Sequence, residues 1–184
     1  MADAAPALRL FFALWPDDAA RAALHRLQRG LGIPAGARPV APENLHLTMA
    51  FLGMQQAALL PEIEAILDRV AVPELRLDLD CYGCFPRARI AWAGMRQPPP
   101  ALAALHEALM EALRQCGIGH DKASAFRPHV TLLRNAVCDN GPAAEPFCWH
   151  GPRLALVQST TMPAGPVYRV LAERAPQAGT DSAN

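Results

Sequence analysis

The sequence has almost no lysine. Lys122 is the only one among 17 basic residues, and 17 acidic residues balance these to a net charge of zero. A chain with no global positive field does not hold nucleic acid by charge alone, so any nucleic-acid chemistry must reside in a local site. The arginine bias has two readings, coding composition or a use for bidentate phosphate contacts. Long apolar runs are also missing, and none approaches the ~18 residues that span a bilayer. The apolar stretch 10–15 is short, has no basic region ahead of Arg9 and stops at Pro16-Asp17-Asp18. It reads as a strand rather than a signal peptide. Glycine-rich phosphate loops of the GxGxxG or GxxxxGK[ST] kind are absent, which argues against the usual nucleotide-binding folds. The five cysteines, at 81, 84, 116, 138 and 148, make an odd number in a chain too large to need staples. Reduced thiols in a cytoplasmic protein are the simplest expectation.

What is present is a core. A hydrophobic fraction of 52% against 18% charged excludes a disordered chain, and 184 residues suffice for one domain or two lobes sharing a core. Helical spacing of apolar residues predicts helices over about 18–31, 59–70 and 102–116, each ended by glycine or preceded by proline. Strands are expected at 9–15, 45–52 (stopped by Gly53), 75–80, 89–92, 129–133, 147–149, 154–159 and 168–171, with a turn around Gly83 and Pro86. The class is α+β with a mixed or antiparallel sheet. Residues 175–184 are small and polar and read as a disordered tail.

One tetrapeptide pattern occurs twice. His46-Leu47-Thr48-Met49 returns 83 residues later as His129-Val130-Thr131-Leu132, each copy in an expected strand with a proline shortly before it. Period-two geometry points each His and its Thr to one face, and Leu47 and Val130 to the other. A duplicated lobe of this kind presents two imidazoles and two hydroxyls to one cleft. Imidazoles with pKa values near ~6.5 can divide the work at neutral pH, one as general base and one as general acid. Two threonine hydroxyls can hold the non-bridging oxygens of a tetrahedral anion. That set fits phosphoryl chemistry without a metal.

Four segments carry a family resemblance. They are Arg9 to Pro16 (RLFFALWP), Asn44 to Gly53 (NLHLTMAFLG), Ala88 to Gly94 (ARIAWAG) and Phe126 to Arg134 (FRPHVTLLR). In this order they resemble the RNA 2′,3′-cyclic phosphodiesterases, also called 2′-5′ RNA ligases, of the 2H phosphoesterase superfamily. The resemblance covers about residues 8–174. It implies a single bilobal domain over 1–174, with two antiparallel sheets flanking a central cleft and helices on the outside. It implies hydrolysis of RNA 2′,3′-cyclic phosphate ends to 2′-phosphomonoesters, with minor reversible 2′-5′ ligation and no cofactor or metal. Carried over by residue, His46 matches the proton donor and His129 the proton acceptor. Thr48 and Thr131 match phosphate-contacting threonines, Arg134 a charged phosphate contact, and Phe51 an aromatic beside the nucleoside. The partner implied is an RNA or nucleotide with a cyclic phosphate end, and the protein a cytoplasmic monomer with no obligate protein partner and no membrane contact.

Other signals carry less. Cys81 and Cys84 form a C-x-x-C, but Cys116, His120, Cys148 and His150 offer no compact second pair for zinc. A zinc- or thiol-dependent module using Cys81 and Cys84 is one rival reading, which metal analysis would separate. A protein that binds a phosphorylated nucleotide without turnover is another, disfavoured because a passive site would use arginine or lysine. Trp15 and Trp92 read as core residues rather than base-stacking platforms, Trp149 as partly exposed, and His25 and His106 as ordinary helix residues.

Overall fold

The computed structural model describes residues 6–121, 125–163 and 165–177. Its first helix begins as Pro16-Asp17 dictates: the Asp17 carboxylate caps it by accepting the Ala20 N–H at 2.8 Å. Prolines 61 and 100 occupy the first turns of the other two helices, where their missing N–H costs nothing. In chain order the elements are β1 (Ala7–Trp15), α1 (Asp18–Gly30), β2 (Arg38–Pro39), β3 (Leu47–Gln56), α2 (Leu60–Arg69), β4 (Arg76–Phe85) and β5 (Ile90–Gly94). They continue with α3 (Pro100–Gln115), β6 (His129–Arg134), β7 (Gly141–His150), β8 (Arg153–Met162) and β9 (Gly165–Arg174). Among the described residues no helix is long and apolar enough to cross a membrane.

The strands form one antiparallel nine-stranded sheet in the order β7-β4-β5-β6-β3-β1-β8-β9, with the short β2 also paired to β6. This corrects the expectation of two sheets. The two halves, β7-β4-β5-β6 and β3-β1-β8-β9, are joined through a single residue pair, Leu47 opposite Val130. The order is the same from either end, with β1–α1–β3 matching β5–α3–β6. All three helices cover one face. Their stripes meet Leu10, Phe12, Leu14, Leu47, Met49, Leu77, Leu79, Val130, Leu132 and Leu156 in one continuous core. The helix α1 lies against β7, and the Tyr82 hydroxyl on β4 donates to the Leu27 carbonyl at 2.9 Å, so the helix that follows β1 covers the other half.

Several local expectations change. Strand β3 runs through Gly53 to Gln56, because a glycine at φ 69° keeps pairing with Leu10 where another residue would be strained. The expected turn forms at Pro86, whose carbonyl accepts the Arg89 N–H at 3.2 Å, and not at Gly83. There β4 continues to Phe85, since the Trp92 ring lies across the glycine where a side chain would otherwise stand. Trp149 is only 2% exposed, packed in the core rather than at the surface. The chain beyond 174 keeps a fixed course to Gln177, whose N–H donates to the Val72 carbonyl at 2.8 Å, and the rest of the expected tail, 178–184, lies outside the described residues.

A Cβ at position 83 would stand 2.0 Å from the Trp92 ring, and one at position 94 would stand 2.8 Å from it. Gly83→Ala is therefore expected to cost about 1–3 kcal/mol of stability by overpacking, measured as a fall of roughly 2–10 °C in thermal midpoint. In a Trp92→Ala background the same substitution should cost far less. An equal loss in both backgrounds would mean that the ring is not the obstacle.

Candidate active site

Two β-bulges shape the face that the helices leave open. Between β1 and β3, Phe12 pairs with Ala50 and Ala13 with Thr48, so Met49 is an extra residue. Between β5 and β6, Ala91 pairs with Leu133 and Trp92 with Thr131, so Leu132 is the extra residue. Met49 and Leu132 are both buried in the core and are equivalent positions of the two motifs. Each bulge inverts the alternation downstream of its motif. Phe51 thereby joins His46 and Thr48 on the open face, and Arg134 joins His129 and Thr131. The repeat is thus longer than the tetrapeptide that reveals it, with Phe51 and Arg134 as its matched last members.

The backbone fixes both imidazoles in the same way. His46 Nδ1 lies 2.6 Å from the Asn44 carbonyl oxygen, and His129 Nδ1 lies 2.7 Å from that of Arg127. A carbonyl only accepts, so each Nδ1 carries the hydrogen and each Nε2 is left for chemistry. Thr48 Oγ1 lies 3.0 Å from His46 Nε2 and donates to it when the ring is neutral. Asn44 is itself buried and held through its side-chain amide, which donates to the Pro166 carbonyl at 2.8 Å. The tip of the β8–β9 hairpin therefore braces the first histidine.

Aromatic rings surround both. Trp15 stacks on His46 at 5.6 Å and 19°, with Phe11 at 5.0 Å and Tyr168 edge-on at 5.4 Å. Phe85 meets His129 edge-on at 4.9 Å, and Trp92 lies 6.2 Å away. Trp15 and Trp92 thus wall the open face instead of filling the core. Burial pushes the His46 imidazole down from 6.5 to about 4. The Asn44 carbonyl opposes this, and the charges of Arg134 and His129 add to it. Burial also lowers His129, against the Arg127 carbonyl. Both rings are neutral at pH 7 unless an anion lies beside them.

Two cavities flank the Leu47–Val130 seam. The first, about 440 Å³, is lined by His46, Thr48, Phe51, Thr131 and Arg134, together with Arg9, Asn44, Ser159, Thr161 and Tyr168. Five of the six expected site residues meet here. The sixth, His129, lines the second cavity, which shares Thr48 and Phe51 with the first. The Arg9 guanidinium lies over the Phe51 ring at 5.1 Å, so the aromatic between the cavities carries a cation on its face. Sequence reasoning missed Asn44, Phe11, Trp15 and Tyr168. The alternation of Phe11, Ala13 and Trp15 along β1 could have placed those rings on the histidine face, whereas Tyr168 enters from a strand distant in sequence and left no signal.

The cysteines do not gather around the C-x-x-C. Cys81 and Cys84 are three apart on the extended β4. The Cys84 thiol neighbours that of Cys138, and Cys148 Sγ lies 3.1 Å from His150 Nε2. No group of three or more metal-ligating side chains occurs among the described residues.

Comparison with known proteins agrees on one kinship. The family model described as the 2′-5′ RNA ligase superfamily matches residues 15–146. The RNA 2′,3′-cyclic phosphodiesterase of Escherichia coli is 39% identical over 129 residues, covering 70% of this chain and 72% of its own length. The RNA 2′,3′-cyclic phosphodiesterase of Thermus thermophilus is 35% identical over 180 residues, covering 89% and 88%. The crystal structure of E. coli LigT complexed with 3′-AMP superposes with a TM-score of 0.82 at 30% identity, over 94% of this chain and all of that one. With sequence and backbone agreeing over most of both molecules, the chain belongs to the 2′-5′ RNA ligase superfamily.

Proposed function

We propose that this protein hydrolyses the 2′,3′-cyclic phosphate at an RNA end, the activity its E. coli and Thermus relatives are named for, and that the product is a 2′-phosphomonoester. The observation that carries this reading is the paired histidines. Both have Nδ1 committed to a backbone carbonyl and Nε2 available, one on each side of a seam where two threonines meet. In-line displacement at phosphorus needs a base on one side and an acid on the other, and this arrangement supplies both.

With the phosphate at the seam, His129 Nε2 takes a proton from the attacking water. The P–O3′ bond breaks, and His46 Nε2 delivers a proton to the departing O3′. Thr48 and Thr131 hold non-bridging oxygens, Arg134 offsets the charge that builds on them, and Phe51 lies against the terminal nucleoside. His46 is neutral at pH 7 on its own, so it must be charged by the substrate: the phosphate anion raises its pKa on binding. Among the described residues the first cavity contains two arginines and no carboxylate, a lining that attracts phosphate and disfavours a divalent cation. We therefore assign the reaction no metal and no cofactor. Every group this mechanism names comes from one chain, so the reaction as written calls on no second subunit.

His46→Ala and His129→Ala should each lower turnover of a 2′,3′-cyclic nucleotide by roughly 10²–10⁴ while the protein stays folded, with a lower thermal midpoint for His46→Ala because its ring packs among Phe11, Trp15 and Tyr168. On an analogue whose leaving oxygen has a low pKa, only His46→Ala should recover, because a stable anion departs unaided while water still needs a base. Recovery of His129→Ala alone would reverse the two roles. Full activity in both variants would remove the histidines from the mechanism, whereas no turnover by the unaltered protein would leave a binding protein.

The pH dependence follows from the lowered imidazoles. In the free protein the required state, His46 charged and His129 neutral, is bounded by values of about 4 and below 6.5. The kcat/KM profile should therefore peak below pH 6.5 and fall towards pH 8. The kcat profile should peak at higher pH, because bound phosphate raises both groups. A kcat/KM that climbs through pH 8 would contradict the assignment. Chelation should leave the rate unchanged, and a loss restored by added zinc would overturn the metal-free mechanism.

A further inference from the structure

The mechanism needs His46 Nε2 within about 3 Å of the departing O3′, and two contacts set where that ring lies. One is the Asn44 carbonyl at Nδ1, and the other is the Trp15 ring stacked on the imidazole at 5.6 Å. Neither sits in the middle of a regular element. Asn44 ends a three-residue 3₁₀ turn, Pro42–Asn44, which has no side-chain cap of its own. Trp15 is the last residue of β1, where the chain leaves the sheet for α1.

Arg21, in the first turn of α1, reaches both segments. Its Nη1 donates to the Glu43 carbonyl at 3.0 Å and to that of Pro42 at 3.5 Å, and its Nη2 to the Pro16 carbonyl at 3.1 Å. The guanidinium carbon lies 5.9 Å from the centre of the Trp15 ring. One planar fork thus ties the turn that ends in Asn44 to the strand end that carries Trp15, and the His46 ring touches both. Among the described residues this is the only guanidinium that donates to a backbone carbonyl. The other bonded arginines meet carboxylates, Asn135 or Cys116. Asp18, the one ion-pair partner of Arg21 among the described residues, is exposed and 4.0 Å away. The charges that act on the His46 imidazole are those of Arg134 and His129, so Arg21 acts on it by position.

We infer that Arg21 is a positioning residue for His46, which keeps Nε2 of the general acid aimed at the departing O3′ although Arg21 itself lies outside the first cavity. This rests on the acid–base reading proposed above. A misplacement of about 1 Å costs roughly 10²-fold in rate, because the proton must arrive as the P–O3′ bond breaks. The loss falls on kcat rather than KM, since Thr131 and Arg134, which hold the phosphate, belong to the other half of the sheet. It disappears where the leaving oxygen needs no proton. A lysine at this position keeps the charge and the stem but presents a single ammonium, which does not reproduce the fork.

The test uses Arg21→Lys, Arg21→Ala and the double variant Arg21→Lys with His46→Ala. Each is assayed on a 2′,3′-cyclic mononucleotide and on the analogue whose leaving oxygen has a low pKa. On the cyclic mononucleotide both single variants should lose at least about tenfold in kcat, with KM changed less than about threefold. On the analogue both should stay within about twofold of the unaltered protein. Added to His46→Ala, Arg21→Lys should cost less than about twofold more, because the ring it positions is gone. An equal loss on both substrates would overturn the inference, as would a loss confined to KM or an unchanged kcat on the cyclic mononucleotide. So would a full further loss in the double variant. Arg21→Lys keeps the charge and the stem, so it decides the matter even if Arg21→Ala does not fold. If His46→Ala itself fails to recover on the analogue, the acid–base assignment is at fault and the double variant decides alone. Failure of the unaltered protein to hydrolyse the cyclic mononucleotide would instead refute the proposed function itself.

Discussion

Leu47 opposite Val130 is the contact on which the rest depends. Both side chains are fully buried towards the helices, so the residues on either side of each are turned to the opposite face. That parity sends His46, Thr48, His129 and Thr131 to the open side together. The ladder between β3 and β6 stops after this one pair, and a cavity lies on either side of it. A longer ladder would fill both spaces with cross-strand side chains and leave no room for a phosphate between two imidazoles.

The bulges extend the same logic by one turn of the pleat. An extra residue in each motif strand breaks the pairing and exposes backbone groups that need partners. At Leu132 the carbonyl is satisfied twice, by the Val40 N–H at 2.9 Å and by the buried Gln28 amide at 2.8 Å. In the other half the Asp121 N–H donates to the Phe51 carbonyl at 2.8 Å. These bonds come from α1 and from the loops that precede β3 and β6, so the segments carrying the motifs are fastened where they distort. The gain is chemical: the bulges put an aromatic ring and a guanidinium at matched places in the wall of the first cavity. The duplicated frame thus has different tips, one suited to a nucleoside and one to charge.

The neutral composition takes on meaning at this scale. The six ion pairs among the described residues tie arginines to acids at exposed or half-exposed positions. Arg9 and Arg134 at one cavity, and Arg87 and Arg127 at the other, are outside these pairs. Four guanidiniums outside any ion pair among the described residues therefore stand at the two cavities of a chain with no net charge. Burial holds both imidazoles in their neutral form, and at His46 the Arg134 charge adds to it. Protonation is thereby coupled to the arrival of an anion.

How much of this was legible in the sequence depends on the range of the interaction. Apolar periodicity, proline and glycine marked the three helices and most strands, because these are local effects of backbone sterics and of one buried face. The repeated His-x-Thr pattern located the site, and period-two geometry gave the facing of its four side chains. The number of sheets was not legible, because one or two turns on a single pairing between strands 83 residues apart. Nor were the bulges: nothing near Met49 or Leu132 differs from ordinary strand sequence, and the extra residue is defined only by the partner strand. The tryptophans were misjudged for the same reason, since hydrophobicity says that a ring will be covered but not by what. Local sequence determined which residues face the cleft as candidates for the chemistry. Only the tertiary structure decided that there are two cavities, because a cavity is bounded by side chains whose neighbours are chosen by long-range pairing.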